Sequence, residues 1–559
     1  MNWKSSDILF VPLGGSGEIG MNANLYHYDD QWIMVDLGIN FPDESMPGVD
    51  VILPDLRFLD DKLDKLKALV VTHGHEDHLG AIPYLWEKIR CPIYGTPFTL
   101  ALLRQKLKER CPDMNIPLRV LDYNQKQKIG AFEVEMVALT HSIPDPAGLI
   151  INVAGEHIFH TGDWKFDDDP QLGRLSDIAR LDELGERGVL AMIGDSTNAM
   201  VEGSTASEAV ARQGLIDEIK KQKGRVAVTC FASNVARLNS LIEAAYETDR
   251  SPMLIGRALN RAYDAARSCG YLQDWPDMIP MEESGLIPRE NILLICSGSQ
   301  GEPRSAMTRV ANGSHHMVSL EAGDTVLFSS REIPGNEVAI QKVQDNLIAR
   351  GIKVVTADDA PIHVSGHPAR DDMTLMYQKI RPEIAIPVHG TNRHVAAHAE
   401  LARQCQVPHV IIPENGHIIC LNRDGAGIKG EAETGAMTID GGDIISLYND
   451  AMSSRRKLLW NGTVSATIVL SERAELCTSP MISQSGVVES SKDSTYLAEA
   501  MIVIEDELAV MPKKDRMNDD RIKQKISEVL RRLAKQMVDR RPVIHVHIMR
   551  VSALDDGEM

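Results

Sequence analysis

One loop carries most of the candidate metal ligands of this sequence. His73, His75, Asp77 and His78 lie within six residues and follow an apolar run at residues 68–71 that is typical of a buried strand. Two ions about 3.5–4 Å apart can share such a loop, with His73 and His75 on one and Asp77 and His78 on the other. A polar surface loop is the alternative interpretation, but four potential ligands at this density favour a metal centre.

Further candidate ligands stand at the ends of two other predicted strands. His141 follows the run that ends at residues 139–140, and Asp163 follows residues 160–162. Asp163 suits a position between two ions, because a carboxylate has two oxygens whereas a neutral imidazole has one free lone pair. Taken singly, each residue is as readily explained by a turn or a cap. The loop at residues 73–78 is what makes them candidate ligands.

The bulk properties limit the class of protein. A chain of 559 residues is long enough for three or four folding units of roughly 100–200 residues each. No apolar run reaches the ~18 residues that cross a bilayer, and the N-terminus lacks a signal-peptide pattern, so we expect a cytoplasmic protein without a membrane segment. The eight cysteines form no C-x-x-C pair, which argues against a disulfide framework or a thiolate zinc cluster. A net charge of −20 opposes non-specific coating of polyanions.

Hydrophobic periodicity divides the chain into parts. The N-terminal part predicts strands at residues 8–13, 32–37, 68–72, 132–138, 149–153 and 157–160. From residue 204 to about 360, an α/β unit with a parallel sheet is predicted by helices at 206–223 and 235–248 and strands at 225–229, 292–295 and 325–329. After strand-and-loop character at 384–420 and a glycine-rich stretch at 423–442, a small β/α tail is predicted by strands at 464–470, 501–504 and 543–551 and a helix at 519–538.

These residues together resemble the metallo-β-lactamase superfamily. Its signature and the following motifs match His73, His75, Asp77, His78, His141 and Asp163, and its first motif matches Asp36. The resemblance implies two zinc ions per subunit, with manganese as an alternative occupant. It also implies that Asp36 supports the ligand loop through hydrogen bonds.

The position of the last ligand narrows the resemblance. The best candidate is His389. Residues 164–388 lie between Asp163 and His389, and this gap is far longer than the one in simple hydrolases of the superfamily. The gap resembles that of the β-CASP nucleases, whose extra motifs match Asp195, His367 and His389. In that group a histidine at the last position is typical of RNA-cutting members, and a valine of DNA-cutting ones. His389 therefore favours RNA as the substrate.

Within the β-CASP group, residues 12–20, 194–198, 334–337 and 363–367 are similar to the bacterial ribonuclease J family. The resemblance implies an α/β protein whose metallo-β-lactamase αββα sandwich is interrupted by a β-CASP domain and followed by a small C-terminal β/α domain. The expected boundaries are 1–203 and 361–445 for the sandwich, 204–360 for the β-CASP domain, 446–458 for a linker and 459–559 for the C-terminal domain. The resemblance also implies homodimers or homotetramers formed through the C-terminal domain.

The implied activity is hydrolysis of RNA phosphodiesters in RNA maturation and decay, as a 5′-to-3′ exonuclease that prefers 5′-monophosphate ends and as an endonuclease. We expect Asp77 and Asp163 to orient the attacking water. His367 is the candidate general acid for the departing 3′ oxygen, with a capping or core histidine as the alternative. Asp195 is expected to hold a histidine in the productive tautomer.

A tight turn at residues 363–367 predicts an anion-binding concavity for a substrate phosphate. Two residues after the predicted strand at 225–229 are similar to residues that hold a 5′-monophosphate in the ribonuclease J family. The candidate substrate-binding residues are Ser233, Asn234, His363, Val364, Ser365, Gly366 and His367.

Two further sets of residues are weaker candidates. Cations for the RNA backbone are expected at Arg257, Arg261, Arg304 and Arg331, although any one such residue is more often merely a solvated side chain. Positions that bind a structural calcium ion in some relatives match Gly48, Asp50 and Asp443.

Several alternatives stay open. Residues 15–20 satisfy G-x-G-x-x-G, but residues 21–27 continue into a strand, which favours a hairpin turn near the active site over a dinucleotide site. His545 and His547 alternate along one strand without a third ligand, which favours an edge or interface strand. A small-molecule metallohydrolase, a DNA nuclease and an inactive RNA-binding scaffold are competing functions. The long insertion, His389 and the complete ligand set favour a ribonuclease.

Overall fold

Two β-sheets pack face to face in a computed structural model that describes residues 3–43 and 45–551. The first sheet contains, in spatial order, Gly427–Glu431, His417–Cys420, Leu9–Gly14, Ala23–Tyr28, Gln31–Val35, Leu66–Val70, Ile93–Gly95 and Leu118–Val120. The second contains His409–Val410, Pro382–Val388, Val189–Asp195, Glu156–His160, Ala147–Val153, Phe132–Ala138 and Lys126–Ile129. Apolar side chains of both sheets form one buried core between them, which explains why many of these strands are apolar along nearly their whole length.

Helices cover the outer faces of both sheets. Those that pack against the second sheet are Ile178–Arg187, Arg370–Ile380 and Asn392–Gln404. Those that follow strands of the first sheet are Glu76–Leu79, Ile82–Ile89 and Pro97–Arg110. Four layers therefore result, which confirms the predicted αββα sandwich.

An inserted layer separates the two halves of this sandwich in sequence. Its five parallel strands are, in spatial order, Ser251–Ile255, Ile292–Cys296, Val226–Thr229, Thr325–Phe328 and Lys353–Val355. One face packs against helices Glu208–Lys220, Val235–Tyr246 and Arg257–Ser268, and the other against Ala306–Ala311 and Glu337–Ala349. Because all five strands run in the same direction, the loops after them line one edge of the sheet.

The C-terminal part forms a separate compact unit that comprises Pro42–Asp50 and the chain from Thr438 onwards. Its sheet consists of Met481–Ser485, Thr463–Ser471 and Val543–Val551, and helices Asp493–Val510 and Asp519–Val538 cover one face. His545 and His547 are exposed on the edge strand of this sheet, as expected. A helix, Asp450–Asn461, covers most of the segment predicted as a linker.

One predicted strand of this unit is wrong. Residues 501–504 lie inside the helix Asp493–Val510. The buried side chains of this helix, Tyr496, Ala500, Ile504 and Leu508, recur every four residues, whereas the run at 501–504 is a short β-branched sequence that resembles a strand only in isolation.

The remaining elements are short. The strands are Ser16–Gly17, Ile52–Pro54, Gly390–Thr391, Ala436–Asp440 and Asp443–Ser446, and the last helix is Lys513–Arg516. The 3-10 turns are Arg57–Leu59, Leu63–Lys65, Met281–Glu283, Arg289–Asn291 and Ser490–Lys492. All eight cysteines are free, and no helix among the described residues has both the length and the apolar character needed to span a bilayer.

The glycine-rich segment at residues 15–20 is a loop between two strands. It leads into the strand Ala23–Tyr28 and not into a helix, so the dinucleotide alternative is wrong. Ser16–Gly17 pairs in parallel with Gly390–Thr391, and the carbonyl of Gly15 accepts a 2.6 Å hydrogen bond from the His389 backbone. This loop therefore lies beside the predicted last metal ligand.

Candidate metal centre

The predicted ligands all follow strands that end on the same side of the sandwich. The ligand loop at residues 73–78 follows Leu66–Val70, and His141 follows Phe132–Ala138. Asp163 and His389 follow two strands that flank Val189–Asp195 in a parallel arrangement. Parallel strands end together at one edge, which explains how residues so distant in sequence meet.

A first cluster joins His73, His75, His141 and Asp163, whose ligand atoms all lie within 4.8 Å of one another. Nδ1 of His75 lies 3.0 Å from Nε2 of His73 and 3.1 Å from Nε2 of His141. Burial lowers the pKa of His73 and His75 well below the ordinary value and lowers that of His141 to about 4. Three neutral imidazoles that point lone pairs at one spot form a donor set suited to a divalent cation.

A second cluster joins Asp77, His78, Asp163 and His389 within the same limit. Nε2 of His78 lies 3.3 Å from Oδ1 of Asp163, and Nε2 of His389 lies 3.4 Å from Oδ2 of Asp163. Nε2 of His389 also lies 3.6 Å from Oδ2 of Asp77. Both clusters therefore share the carboxylate of Asp163, as expected for a bridging ligand.

The Asp163 carboxylate fits a metal better than it fits the protein alone. The residue is 3% exposed, and its Oδ1 has no hydrogen-bond partner. Burial raises its pKa, but His389 and His78 outweigh this effect and hold the pKa of Asp163 well below its usual range. A buried, ionised oxygen without a donor is costly unless a cation neutralises it, so the site fits bound metal.

Asp36 fixes the orientation of the ligand loop. Its carboxylate accepts hydrogen bonds from the backbone of Thr72 at 2.8 Å, from the Thr72 hydroxyl at 2.9 Å and from Nδ1 of His78 at 2.7 Å. The same hydroxyl lies 3.1 Å from Nδ1 of His73. Because both imidazoles use Nδ1 for these contacts, each presents Nε2 to the other residues of its cluster, and the supporting role of Asp36 stays a prediction.

His367 and Asp195 form a third group with Asp163 and His389, whose ligand atoms also lie within 4.8 Å of one another. Nδ1 of His367 is 2.7 Å from Oδ2 of Asp195 and 3.9 Å from Oδ2 of Asp163. Burial alone would lower the pKa of His367, but Asp195 and Asp163 outweigh it and raise the pKa to about 9. A protonated imidazole held at the edge of a metal site is equipped to donate a proton.

Comparisons with known proteins agree with this geometry. Family models match residues 31–184 (Beta-lactamase superfamily domain), 223–347 (Ribonuclease J, beta-CASP domain), 353–413 (Zn-dependent metallo-hydrolase RNA specificity domain) and 451–551 (Ribonuclease J C-terminal domain). The chain is 38% identical to Ribonuclease J of Sinorhizobium meliloti, with 98% of each chain covered. The chain belongs to the ribonuclease J family.

Other relatives extend the similarity over the same length. Ribonuclease J of Mycobacterium tuberculosis is 36% identical, with 98% of each chain covered, and Ribonuclease J2 of Bacillus subtilis is 31% identical, with 98% of this chain and 99% of the relative covered. A crystal structure of an Enterococcus faecalis V583 protein shares the fold, with a TM-score of 0.52, 17% identity and coverage of 74% of this chain and all of that one. As a member of the ribonuclease J family, the chain is a metal-dependent ribonuclease.

In this member of the ribonuclease J family, the turn at residues 363–367 packs directly on the metal centre. Nδ1 of His141 donates a 2.6 Å hydrogen bond to the carbonyl of Gly366. A Cβ atom on Gly366 would lie 2.7 Å from the His141 ring, so only glycine fits this close approach. Within the described residues, the backbone N–H groups of Ser365 and Gly366 donate to no protein acceptor. Val364 is buried beneath the same turn.

A buried arginine holds the start of this turn. Arg237, which is fully buried, donates to the carbonyl of Ile362 at 3.1 Å and to Nδ1 of His363 at 3.4 Å, and its other nitrogens pair with Glu208. Burial and then the charge of Arg237 lower the pKa of His363 to about 3. His363 is therefore neutral, although a hydrogen bond to the Ser329 backbone acts in the opposite direction and raises its pKa.

The other predicted substrate and calcium residues are placed as follows. Asn234 caps the helix Val235–Tyr246 through a 2.7 Å bond from the Arg237 backbone, and Ser233 precedes it at the same edge. Arg261 is paired with Glu109 at 3.0 Å.

Asp50 and Asp443 are exposed, and neither joins a cluster of three metal-binding side chains in the described part of the chain. The calcium site stays a prediction.

Sequence reasoning missed three residues that shape the site. The amide nitrogen of Asn22 lies 2.9 Å from Nδ1 of His389, and that of Asn198 donates to Ser365 at 2.8 Å and to the carbonyl of His367 at 3.0 Å. Arg237 is the third. Only Asn198 carried a signal, because it belongs to the motif at residues 194–198.

Proposed function

We propose that this enzyme binds two zinc ions, for which manganese can substitute, and hydrolyses RNA both as a 5′-to-3′ exonuclease and as an endonuclease. The supporting observation is the pair of four-residue clusters that share Asp163 beside the His367 and Asp195 pair. His73, His75, His141 and Asp163 would hold the first ion, and Asp77, His78, Asp163 and His389 would hold the second. Bound zinc lowers the pKa of a water ligand toward ~7 and neutralises charge on phosphoryl oxygens.

The protein's own groups supply orientation and the proton. The Asp77 side chain is 29% exposed, so its carboxylate is accessible to solvent and, together with Asp163, would orient the attacking water. His367 protonates the departing 3′ oxygen, and Asp195 stabilises the protonated imidazole that performs this step. The downstream product then carries a 5′-phosphate.

The turn at residues 363–367 is the proposed pocket for the 5′-monophosphate. The unengaged N–H groups of Ser365 and Gly366 are donors suited to one phosphate, and His363 begins the same turn. Ser233 lies nearby, since the Ala236 backbone donates to the carbonyl of Ser142, next to His141.

The decisive experiment compares one RNA with a 5′-monophosphate, a 5′-triphosphate or a 5′-hydroxyl end, and a DNA strand of the same sequence. We expect mononucleotide release to be fastest from the monophosphate, absent from DNA, abolished by a chelator and restored by zinc or manganese. Equal rates on the three RNA ends would contradict the pocket. Degradation of DNA as fast as RNA would contradict the substrate class.

Matched variants locate the preference. Ser233→Ala should lower the monophosphate-to-triphosphate rate ratio toward one, whereas Ser454→Ala, on an exposed helix of the other unit, should leave the ratio unchanged. An unchanged ratio in the first variant would remove Ser233 from the pocket.

We also propose that the C-terminal unit forms the contact between subunits of a dimer or tetramer. The support is that the sheet face opposite its helices exposes Met481, Met549 and Val551, with 75%, 55% and 39% of their surface accessible. Light scattering of M481E/M549E should report a smaller particle than that of the unmodified chain. An unchanged mass would contradict this interface.

A further inference from the structure

A cavity lined by arginines lies in the inserted domain, outside the metal centre. It has a volume of about 560 Å³ and lies where the strands Ser251–Ile255 and Ile292–Cys296 end. Gly256, at φ +127°, permits the close approach of the two loops, since a Cβ there would lie 2.3 Å from the Ser297 hydroxyl. The cavity is lined by three arginines and two histidines, namely Arg257, Arg304, Arg309, His315 and His316.

No carboxylate neutralises these arginines. Arg257, Arg304 and Arg309 are exposed, and none forms an ion pair within 4.0 Å of any described Asp or Glu side chain. By contrast, Arg261, on the same helix as Arg257, is paired with Glu109. Three uncompensated cations that face one cavity, in a chain with a net charge of −20, indicate a site for an anion.

Two stacked histidines lie beside the arginines. Their rings have centroids 5.1 Å apart and planes 19° apart. Burial, then the charge of Arg309, lowers the pKa of His315, so this ring is neutral and the arginines carry the positive charge of the cavity. The flat imidazole faces also offer a surface on which a nucleobase can stack.

Hydrogen bonds connect the loop that carries Arg304 with the turn at residues 363–367. Asn198 donates to the Ser365 hydroxyl at 2.8 Å and accepts from Arg331 at 2.9 Å. Gln300 donates to the Arg331 carbonyl at 2.9 Å and precedes Arg304 in the same loop. The loops that carry Gln300, Arg331 and Ser365 follow strands of the inserted parallel sheet, whereas Asn198 follows Val189–Asp195 of the second sandwich sheet.

The position along this edge suggests which part of an RNA reaches the cavity. The strand Ser251–Ile255 is two places from Val226–Thr229, after which Ser233 follows, a separation of about 10 Å at ~4.8 Å per strand. An RNA whose 5′ end sits in the proposed monophosphate pocket has no nucleotide beyond it. An RNA that is cut internally has further nucleotides upstream, and these extend beyond the pocket along the same edge of the sheet.

We infer that this cavity binds backbone phosphates upstream of the bond cleaved when the enzyme cuts RNA internally. The inference rests on the proposed function, because the monophosphate pocket defines the upstream direction. The cavity thus serves endonuclease action and is dispensable for removal of nucleotides from a 5′-monophosphate end.

The test measures binding and cleavage separately. In a His367→Ala background, which keeps the RNA intact, R257A/R304A/R309A should bind a circular RNA about tenfold more weakly and reduce the salt dependence of log Kd by about 2, as expected for three lost phosphate contacts. In the otherwise unmodified enzyme, the same triple variant should cut the circular RNA about tenfold more slowly and degrade a short 5′-monophosphorylated RNA at the normal rate.

Two control variants separate charge from site and from folding. K108A/K223A/K342A removes three exposed lysines that form no ion pair among the described residues, and it should leave circular RNA binding unchanged. R257K/R304K/R309K keeps the charges and should retain most of the binding. If K108A/K223A/K342A weakened the binding of circular RNA as much as R257A/R304A/R309A does, the inference would be overturned.

Free nucleotides are the other source of phosphate. The inference would be overturned in favour of a nucleotide site if the unmodified enzyme bound ATP and R257A/R304A/R309A lost ATP binding but bound circular RNA normally. Because binding is measured in an inactive background, a lack of RNA cleavage by the unmodified enzyme would contradict the proposed function and leave the binding result interpretable.

Discussion

Nδ1 of His367 lies 2.7 Å from Oδ2 of Asp195, on the edge of two carboxylate and imidazole clusters. Because Asp195 occupies Nδ1, the imidazole can present only Nε2 to a substrate. This fixes both the charge and the direction of the group, which is what a proton donor requires.

His367→Ala should therefore lower kcat by about 10²–10⁴-fold while the bound metal is retained. The measurement combines single-turnover cleavage of 5′-monophosphorylated RNA with elemental analysis. His409→Ala, which removes an exposed imidazole, is the control and should have neither effect. Loss of metal together with activity would show that His367 is a ligand and not the acid.

Asp36→Ala should weaken metal binding by about 10–100-fold. The reason is that the Asp36 carboxylate accepts hydrogen bonds from Nδ1 of His78 at 2.7 Å and from the backbone of Thr72 at 2.8 Å. Without these bonds, His78 and the adjacent His73 lose their fixed orientation. Competition with a chromophoric chelator measures the affinity. Asp30→Ala, which changes an exposed carboxylate, should bind metal normally, and equal affinity in both variants would contradict the role of Asp36.

His398 should make stability depend on pH without involving the metal. It is buried between the Ser196 hydroxyl and the Tyr377 hydroxyl, each 2.9 Å away, and burial lowers its pKa from 6.5 to about 4. A pKa lowered by folding means that the stabilisation is complete above about pH 6.5 and is lost as the pH falls toward 4. From pH 7 to pH 5 the loss is about 2 kcal/mol for this group.

Urea unfolding at the two pH values measures this effect. His398→Asn should be less stable at neutral pH but should lose less stability on acidification than the unmodified chain. An equal loss in both proteins would show that His398 is not responsible for it.

Breaking the buried pair of Arg237 and Glu208 should destabilise the inserted domain. Nε of Arg237 lies 2.6 Å from Glu208, and neither side chain is more than 6% exposed. Glu208→Ala leaves a buried, unpaired guanidinium and should cost about 3–5 kcal/mol, whereas E208L/R237M should cost less than the sum of the two single changes. Additive losses in thermal or urea unfolding would contradict coupling between the two residues.

The accuracy of the sequence predictions follows from how local each signal is. The strand Phe132–Ala138, the helix Asp519–Val538 and the strand Val543–Val551 have the predicted bounds, because each has a clear apolar period over its whole length. The wrong strand at residues 501–504 arose where four apolar residues in a row conceal the four-residue spacing of the buried helix face.

The sequence by itself determined the types and order of the ligands, since His73, His75, Asp77 and His78 stand in one loop and the resemblance supplied the distant ones. The resemblance also predicted Asp36 as a supporting residue, whereas only the tertiary structure revealed the other supporting side chains. Arg237 and Asn22 act through contacts between segments far apart in the chain, and no local pattern records such contacts. The unpaired state of Arg257, Arg304 and Arg309 also depends on folding, because the neighbours of an exposed cation are fixed only when the loops of the parallel sheet meet at one edge.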